Sequence, residues 1–277
     1  MMKKLFLVML IVSMSCTVSF SQRQEVPKTM IIKMLGGEEY IGEIVSQDNE
    51  YLILKSKNGE LRLLKTKIQS MQESTYKGQF EFENPNITRY LFGPSAIPLK
   101  KGKGYYQNVL VTFNFVNVGI TDNISIGGGF EFVSALAGEP IWFLTPKLSH
   151  SIDEKNHVGV GVLTAGLSTR GSGTIMYGVY TRGTGEANVT VGAGYGLFDG
   201  DVSSTPVLTF SAFKRLTNGL ALTSENYIGT SGNGNYFGIH GVRLMSRRNS
   251  FDIGGMVIPG LDVTIPVIPY ASYVRSF

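Results

Sequence analysis

The feature that most limits the fold is a period-two alternation that begins near Arg89 and runs to the last residue. Segments of roughly ten residues put apolar side chains on one parity and polar residues or glycine on the other, the pattern of strands with one apolar face. Ile124, Ile126, Phe130 and Phe132 oppose Ser125, Gly127, Gly129 and Glu131. Val158, Val160 and Val162 oppose Gly159 and Gly161, and Val189, Val191 and Tyr195 oppose Thr190, Gly192, Gly194 and Gly196. Val109, Val111, Phe113 and Phe115 read the same way, apolar outward, with Asn108, Thr112 and Asn114 inward. Past the signal-like N-terminus, no apolar run approaches the ~18 residues that a spanning helix needs. A chain that crosses a bilayer in this form closes into a barrel, because unpaired backbone groups in hydrocarbon cost several kcal/mol each.

Composition agrees with that reading. The 277 residues include 34 glycines, 13 tyrosines and 16 phenylalanines, but only 17% charged residues, against about 25% in ordinary soluble domains. The formal charge of +4 carries little meaning, since residues 22–88 hold 9 basic and 10 acidic groups and residues 89–277 hold 14 and 11. No block of like charge points to nucleic acid.

The turns separate a barrel from a soluble sandwich. Strands are expected near 89–98, 106–119, 124–135, 141–152, 157–168, 174–182, 187–198, 205–216, 219–229, 235–246, 250–258 and 263–276. Tight polar turns then fall at 121–123, 153–156, 183–186, 217–219 and 247–249, with longer connections between them. Short turns at one end and longer loops at the other are the asymmetry of an outer-membrane barrel. The fold class expected is all-β, an antiparallel transmembrane barrel of about 12 strands after a small β module.

The N-terminus supplies a compartment. Lys3 and Lys4 precede an apolar stretch from Leu5 to Val12, and Ser19 and Ser21 stand three and one before a cut ahead of Gln22, which reads as a secretory signal peptide over 1–21. Cys16, the single cysteine, leaves with it, so no thiol, disulfide or cysteine metal site is expected in the mature chain. Residues 22–76 are read as a small β module: Met30-Ile31-Ile32, Tyr40 to Val45, Tyr51 to Leu54, Leu61 to Leu64 and Ile68 to Met71, turned at Gly36-Gly37, Asp48-Asn49 and Asn58-Gly59. The spacing of Gly37, Tyr40-Ile41-Gly42, Asp48, Leu52, Leu54 and Asn58-Gly59 resembles the Sm-type or SH3-like small β-barrel. Residues 77–88 are read as a polar linker and 89–277 as the barrel.

The C-terminus carries the second resemblance. Phe277 ends the chain, Tyr273 and Ala271 share its parity, and Val267, Ile265 and Val263 continue that face. This is similar to the C-terminal aromatic signal of bacterial outer-membrane proteins, which implies recognition by the barrel-assembly machinery. Arg275 departs from the pattern, and Pro266 and Pro269 imply an irregular start to the last strand. The resemblance implies the bacterial outer membrane, with lipid around the barrel and residues 28–73 in the periplasm, where they are available to a partner protein.

Candidate chemistry is sparse, with only three histidines. His150 and His157 flank Asp153 and could share a divalent ion across a hairpin, although no third rigid ligand is apparent. Ser149 and His150, adjacent in a strand, face opposite sides and cannot act as nucleophile and base. His240 has no serine at a defined sequence spacing. Gly127-Gly128-Gly129 lies in a strand with no helix behind it, so it reads as wall packing rather than a phosphate loop. No enzyme and no cofactor are expected. Glu131, Lys147, Glu225 and Asp252 fall on inward parity, with Arg243 ambiguous, and these five are the lumen-lining candidates. The leading expectation is a narrow channel or carrier for small solutes. A closed barrel anchoring the small module is the alternative, and an interfacial lipid-modifying enzyme the third.

Overall fold

A computed structural model describes residues 29–56, 59–73, 80–167, 171–198, 201–230, 236–259 and 267–277. The signal-like segment, Asn58, Ile265 and Pro266 lie outside them. The chain divides into two compact units, one up to Lys77 and one from Gly78.

In the first unit, β1 (Thr29–Met34), β2 (Glu39–Gln47), β3 (Tyr51–Ser56), β4 (Gly59–Leu64) and β5 (Ile68–Glu73) form one sheet in the order β4-β3-β2-β1-β5. All its pairings are antiparallel. Ile32, Leu52, Leu54 and Leu63 form its apolar core. Asp48 shapes the turn between β2 and β3 by accepting the N–H groups of Glu50 and Tyr51 at 2.8 and 2.6 Å. A single 3-10 turn at Lys65–Lys67 leads into β5.

The second unit is a closed antiparallel wall. Its strands are β6 (Gly104–Val109), β7 (Phe113–Gly119), β8 (Ile124–Glu131), β9 (Ile141–Leu144) with β10 (Lys147–Ser151), β11 (Asn156–Leu167), β12 (Gly171–Gly183), β13 (Ala187–Phe198), β15 (Val207–Arg215), β16 (Leu220–Gly229), β17 (Tyr236–Met245), β18 (Asn249–Val257) and β19 (Val267–Ser276), with a short β14 (Asp201–Val202) laid on β13. Because β9 and β10 both run between β8 and β11, they are two halves of one wall strand, broken at Thr145-Pro146. The last strand pairs with the first through Ser272↔Val109 to Ser276↔Tyr105, so no edge is left. The result is a 12-strand barrel.

Two of the expected strands are wrong, and the errors cancel in the count. Residues 89–98 are not in the wall, and 106–119 is two strands, joined where Leu110 and Val111 adopt φ of 49° and 69°. Nothing in a Leu-Val pair signals such a turn, since positive φ is rare for bulky and β-branched residues. The faces of that hairpin are also reversed. Val109 and Phe115 are buried in the interior, while Asn108 bonds Asn114, which accepts from Tyr106, on the outside. The strand expected over 124–135 ends at Glu131, whose side chain accepts Val133 and Ser134 N–H and so caps the short helix α1 (Phe132–Leu136).

Elsewhere outward parity is mostly apolar: Ile124, Val158, Val160, Val191, Phe210, Leu222, Phe251 and Ile253 are all exposed. Inward parity is polar and buried, with Ser125, Ser149, Thr181, Thr190, Ser211, Thr223 and Ser272 lining the interior.

Residues 80–103 fill one end of that interior. Glu81 N–H meets Asn218 Oδ1 and Asn84 Nδ2 meets Gly185 O, both at the end of the barrel with the tight turns. The chain then climbs and reverses: Tyr90 N–H donates to Gly93 O at 2.9 Å, Arg89 bridges Pro94, and Ser95 N–H donates to Thr88 O at 3.0 Å. It returns to the same end, where β6 begins. The segment is an interior hairpin with its tip at Leu91-Phe92. Pro94 and Pro98, which offer no donor to a ladder, fit this role better than a place in the wall.

Candidate functional site: a plugged lumen and the chamber above it

Four of the five lumen candidates hold the hairpin. Glu225, 1% exposed, accepts the backbone N–H groups of Leu91, Phe92 and Gly93 at 3.0, 2.9 and 2.7 Å, and also the hydroxyl of Tyr227. One carboxylate therefore caps three successive amides at the tip. Gly93 is needed for that approach, since a Cβ there would lie 2.9 Å from Glu225 Oε1 and 2.6 Å from the Tyr227 hydroxyl.

Arg243 and Asp252 are fully buried and pair across β17 and β18, with Nε to Oδ1 at 2.6 Å and Nη2 to Oδ2 at 3.2 Å. Arg243 also donates to the carbonyls of Asn86 and Tyr90. Asp252 further accepts Ser272 Oγ at 2.9 Å and Arg89 Nη2 at 3.3 Å, so one carboxylate joins two guanidinium groups. Buried charges of this kind persist only when paired and hydrogen-bonded. Among the described residues Lys147 Nζ faces no carboxylate; it donates to the carbonyls of Ser95, Ile97 and Thr88 at 2.9, 3.3 and 3.5 Å. Glu131 stands apart, since it caps α1 at the rim and touches nothing in the hairpin.

Arg215 secures the neck. It donates to Phe82 O and to the Glu186 carboxylate, and its guanidinium sits 4.3 and 4.5 Å from the ring centres of Phe80 and Phe82. Higher up, the Tyr90 hydroxyl meets Asn188 and Thr190, and Tyr270 donates to Leu91 O. Sequence parity alone could place Arg215 inward, but its partners became visible only once the hairpin was seen to pass beneath it.

Beyond the hairpin lies a chamber of about 310 Å³. It runs beside the hairpin as well, from Leu99, Tyr105 and Ser125 past Phe92 and Pro94, and Phe115, Tyr177, Tyr227 and Phe237 line it too. Phe92 meets Phe115 edge-on at 6.1 Å, and Tyr227 stacks on Phe237 at 5.6 Å. Among the described residues the charged side chains that reach the chamber are Arg89 and Lys147; Glu225, Asp252 and Arg243 are turned toward the hairpin. Nε and Nη1 of Arg89 have no hydrogen-bond partner among the described residues.

His150 and His157 do not converge. His150 faces out and His157 in, where its Nδ1 meets Ser151 Oγ at 2.8 Å, so the shared ion site considered across this hairpin does not form. Among the described residues, no group of three His, Cys, Asp or Glu side chains could hold a metal ion.

The wall is an outer-membrane-type β-barrel. Its hydrogen bonding, closure, even strand count, apolar outside and polar inside decide this. No family model and no curated protein matches the chain. Among solved structures it is similar to the KdgM porin (TM-score 0.45, 5% identity, 63% of this chain and 96% of that one). It is also similar to the NanC porin (0.41, 11% identity, 63% and 97%). A loop-deleted form of OmpT, an outer membrane protein of Vibrio cholerae, gives 0.34 and 11% identity over 91% and 97%. With every one of these scores below 0.5, the fold rests on the wall's own geometry.

Proposed function

We propose that the protein is a bacterial outer-membrane barrel that accepts a small amphipathic anion in the chamber and passes it only when the hairpin plug moves. The observation that carries this reading is the division of labour in the lumen. The carboxylates are spent on the plug, while the chamber above it is apolar and aromatic with Arg89 and Lys147 as its charged lining. An apolar pocket with a few placed polar groups suits a ligand with an apolar body and one anionic end. The apolar outer face, the signal-like N-terminus and the terminal Phe277 support an outer-membrane location and a contact with the barrel-assembly machinery. The order β4-β3-β2-β1-β5 supports reading residues 29–73 as a Sm- or SH3-like module, available in the periplasm to a partner protein.

Two measurements test the proposal. In planar bilayers the native protein is expected to be silent to salt, whereas Glu225→Gln, which weakens the cap on three amides, opens bursts of conductance. In nanodiscs, 2-naphthoate is expected to bind once per chain, at least tenfold more weakly to Arg89→Gln. Absence of binding, together with silence in both proteins, leaves the closed anchoring barrel as the correct reading.

A further inference from the structure

The wall of the barrel is not the same height all round. β11 and β12 run for 12 and 13 residues, more than the ~9–11 that a tilted strand needs to cross a bilayer. β6 and β7 have only 6 and 7. Both reach the end with the tight turns, where Gly104 N–H donates to Phe277 O at 3.0 Å, so the shortfall lies at the other end. β19 pairs with β6 only from Ser276 to Ser272, and its upper half, Val267–Ala271, rises further beside β18. Among the described residues that upper half has one backbone bond on the β6 side, from Leu110 N–H to Ala271 O. Across the gap stands α1, tied to the turn between β6 and β7 by Phe132 N–H on Thr112 O at 2.8 Å. The wall therefore has a notch between β19 and α1, roughly 16 Å deep along the strand.

Local chemistry fits an edge left open here. Ala271 turns its backbone groups toward β6, as the Leu110 bond shows, and alternation along the strand turns those of Pro269 the same way. Pro269 therefore faces the notch with no N–H to leave unpaired. The carbonyls of the turn, which sits part-way up an otherwise apolar wall, are met by side chains. Asn108 Nδ2 donates to Val111 O at 2.8 Å and Asn114 Nδ2 to Thr112 O at 3.0 Å. The lip itself is apolar. Val111 on the turn and Leu136 at the end of α1 are 82% and 73% exposed, the highest values among the large apolar side chains of the described barrel, and Phe132 and Val133 are exposed beside them. Inside the lip the rings form a row. Phe113, the first residue of β7, meets Phe143 at 6.0 Å, Phe143 meets Phe115 at 5.1 Å, and Phe115 meets Phe92 of the chamber lining at 6.1 Å. An apolar path connects the notch with the chamber.

We propose that the notch is a lateral portal through which a long-chain anionic amphiphile, a fatty acid in its simplest form, enters the chamber sideways from the surrounding leaflet. Its carboxylate reaches Arg89, and its tail lies along Phe92, Phe115, Phe143 and Phe113 and leaves the wall between α1 and β19. This rests on the reading of the chamber given above, and adds to it the length of the ligand's tail and its route of entry. A tail that follows this path passes from hydrocarbon to an aromatic lining without crossing water, whereas entry from the loop end would first expose it. A ligand small enough to lie wholly within about 310 Å³ has no need of the notch, which is what makes the two routes separable.

The test uses the full chain in nanodiscs, with palmitate supplied in the disc lipid and 2-naphthoate bound in the chamber. Palmitate is expected to displace the 2-naphthoate, read by its fluorescence. A second sample carries Cys16→Ser and Val111→Cys, is checked for heat-modifiable migration, and is labelled after folding with a polyethylene glycol maleimide. The label is expected to slow displacement by palmitate at least tenfold while the affinity for 2-naphthoate stays unchanged. The same label on Val202→Cys, an exposed site beyond β13, is expected to change neither. Equal rates with and without the label at 111, or equal slowing from the label at 202, overturns the portal. So does palmitate that fails to displace 2-naphthoate from a chain that binds it, and each of these results leaves the chamber reading standing. Absence of any 2-naphthoate binding is the separate outcome that removes the chamber reading, and the portal with it.

Discussion

The two units use one strand alphabet in opposite senses. In the N-terminal sheet the apolar residues Ile32, Leu52, Leu54 and Leu63 are buried against one another, and the polar parity meets water. In the barrel the buried residues include Arg243, Asp252, Glu225, Thr181 and Thr190, while many valines, leucines and phenylalanines face outward. Alternation therefore reports that a face exists, and the solvent on the far side decides which parity goes in. The barrel also shows what an inverted interior requires. Apolar clusters such as Leu91 with Val109, Phe115 and Ile239 hold part of the hairpin, and Lys147, Glu225, Arg243 and Asp252 are each matched to it by a named partner.

The contrast is most severely tested at Asp252. Asp252→Ala leaves Arg89 and Arg243 buried without their carboxylate, and breaking a buried pair in this way costs about 3–5 kcal/mol. A large drop in the temperature of the gel-mobility shift is expected, together with release of the plug to protease. In the small sheet the equivalent injury is apolar. Leu54→Ala, at a fully buried site, should cost about 2–5 kcal/mol, seen as rapid proteolysis of residues 29–73 while the barrel keeps its native mobility shift.

A matched pair of surface changes sharpens the point. Val160 and Val45 are 56% and 53% exposed, and by exposure alone arginine would be tolerated equally at both. If the barrel face meets lipid, Val160→Arg costs about 2–4 kcal/mol, whereas Val45→Arg stays within about 0.5 kcal/mol. Equal tolerance in a vesicle-refolding assay would break the comparison.

The smallest effect is expected at Asp48. The N–H groups of Tyr51 and then Glu50 hold its carboxyl below the ordinary aspartate range. A depressed folded value means that its contribution to stability is fully present above the unfolded value, about pH 4, and is lost as pH falls through the folded one. Asp48→Asn should lower the stability of the small sheet slightly at neutral pH, where that contribution is present, and leave it nearly unchanged at pH values below the folded one, which flattens the acid limb of its unfolding.

How much of this was legible follows from what alternation can and cannot encode. Glu131, Lys147, Glu225 and Asp252, on one parity in the sequence, are buried in the structure. The barrel class and ten of its strands were readable, because period two maps directly onto the two sides of a wall. The hairpin at 89–98 was not, since a segment buried on every side has no parity to read. Nor was the Leu110-Val111 turn, where neither residue carries a turn preference. The notch was hidden for a third reason: the heights of β6 and β19 can be compared only through their register.

By itself, then, the sequence determined that this chain makes strands with one apolar and one polar face, and where most of them turn, because these are local properties of side-chain order. Which residues stand inside the barrel as a plug, and which charge meets which, were decided only by closure of the wall. Each is a contact between segments whose approach is set by register and by the limited space within a twelve-strand cylinder.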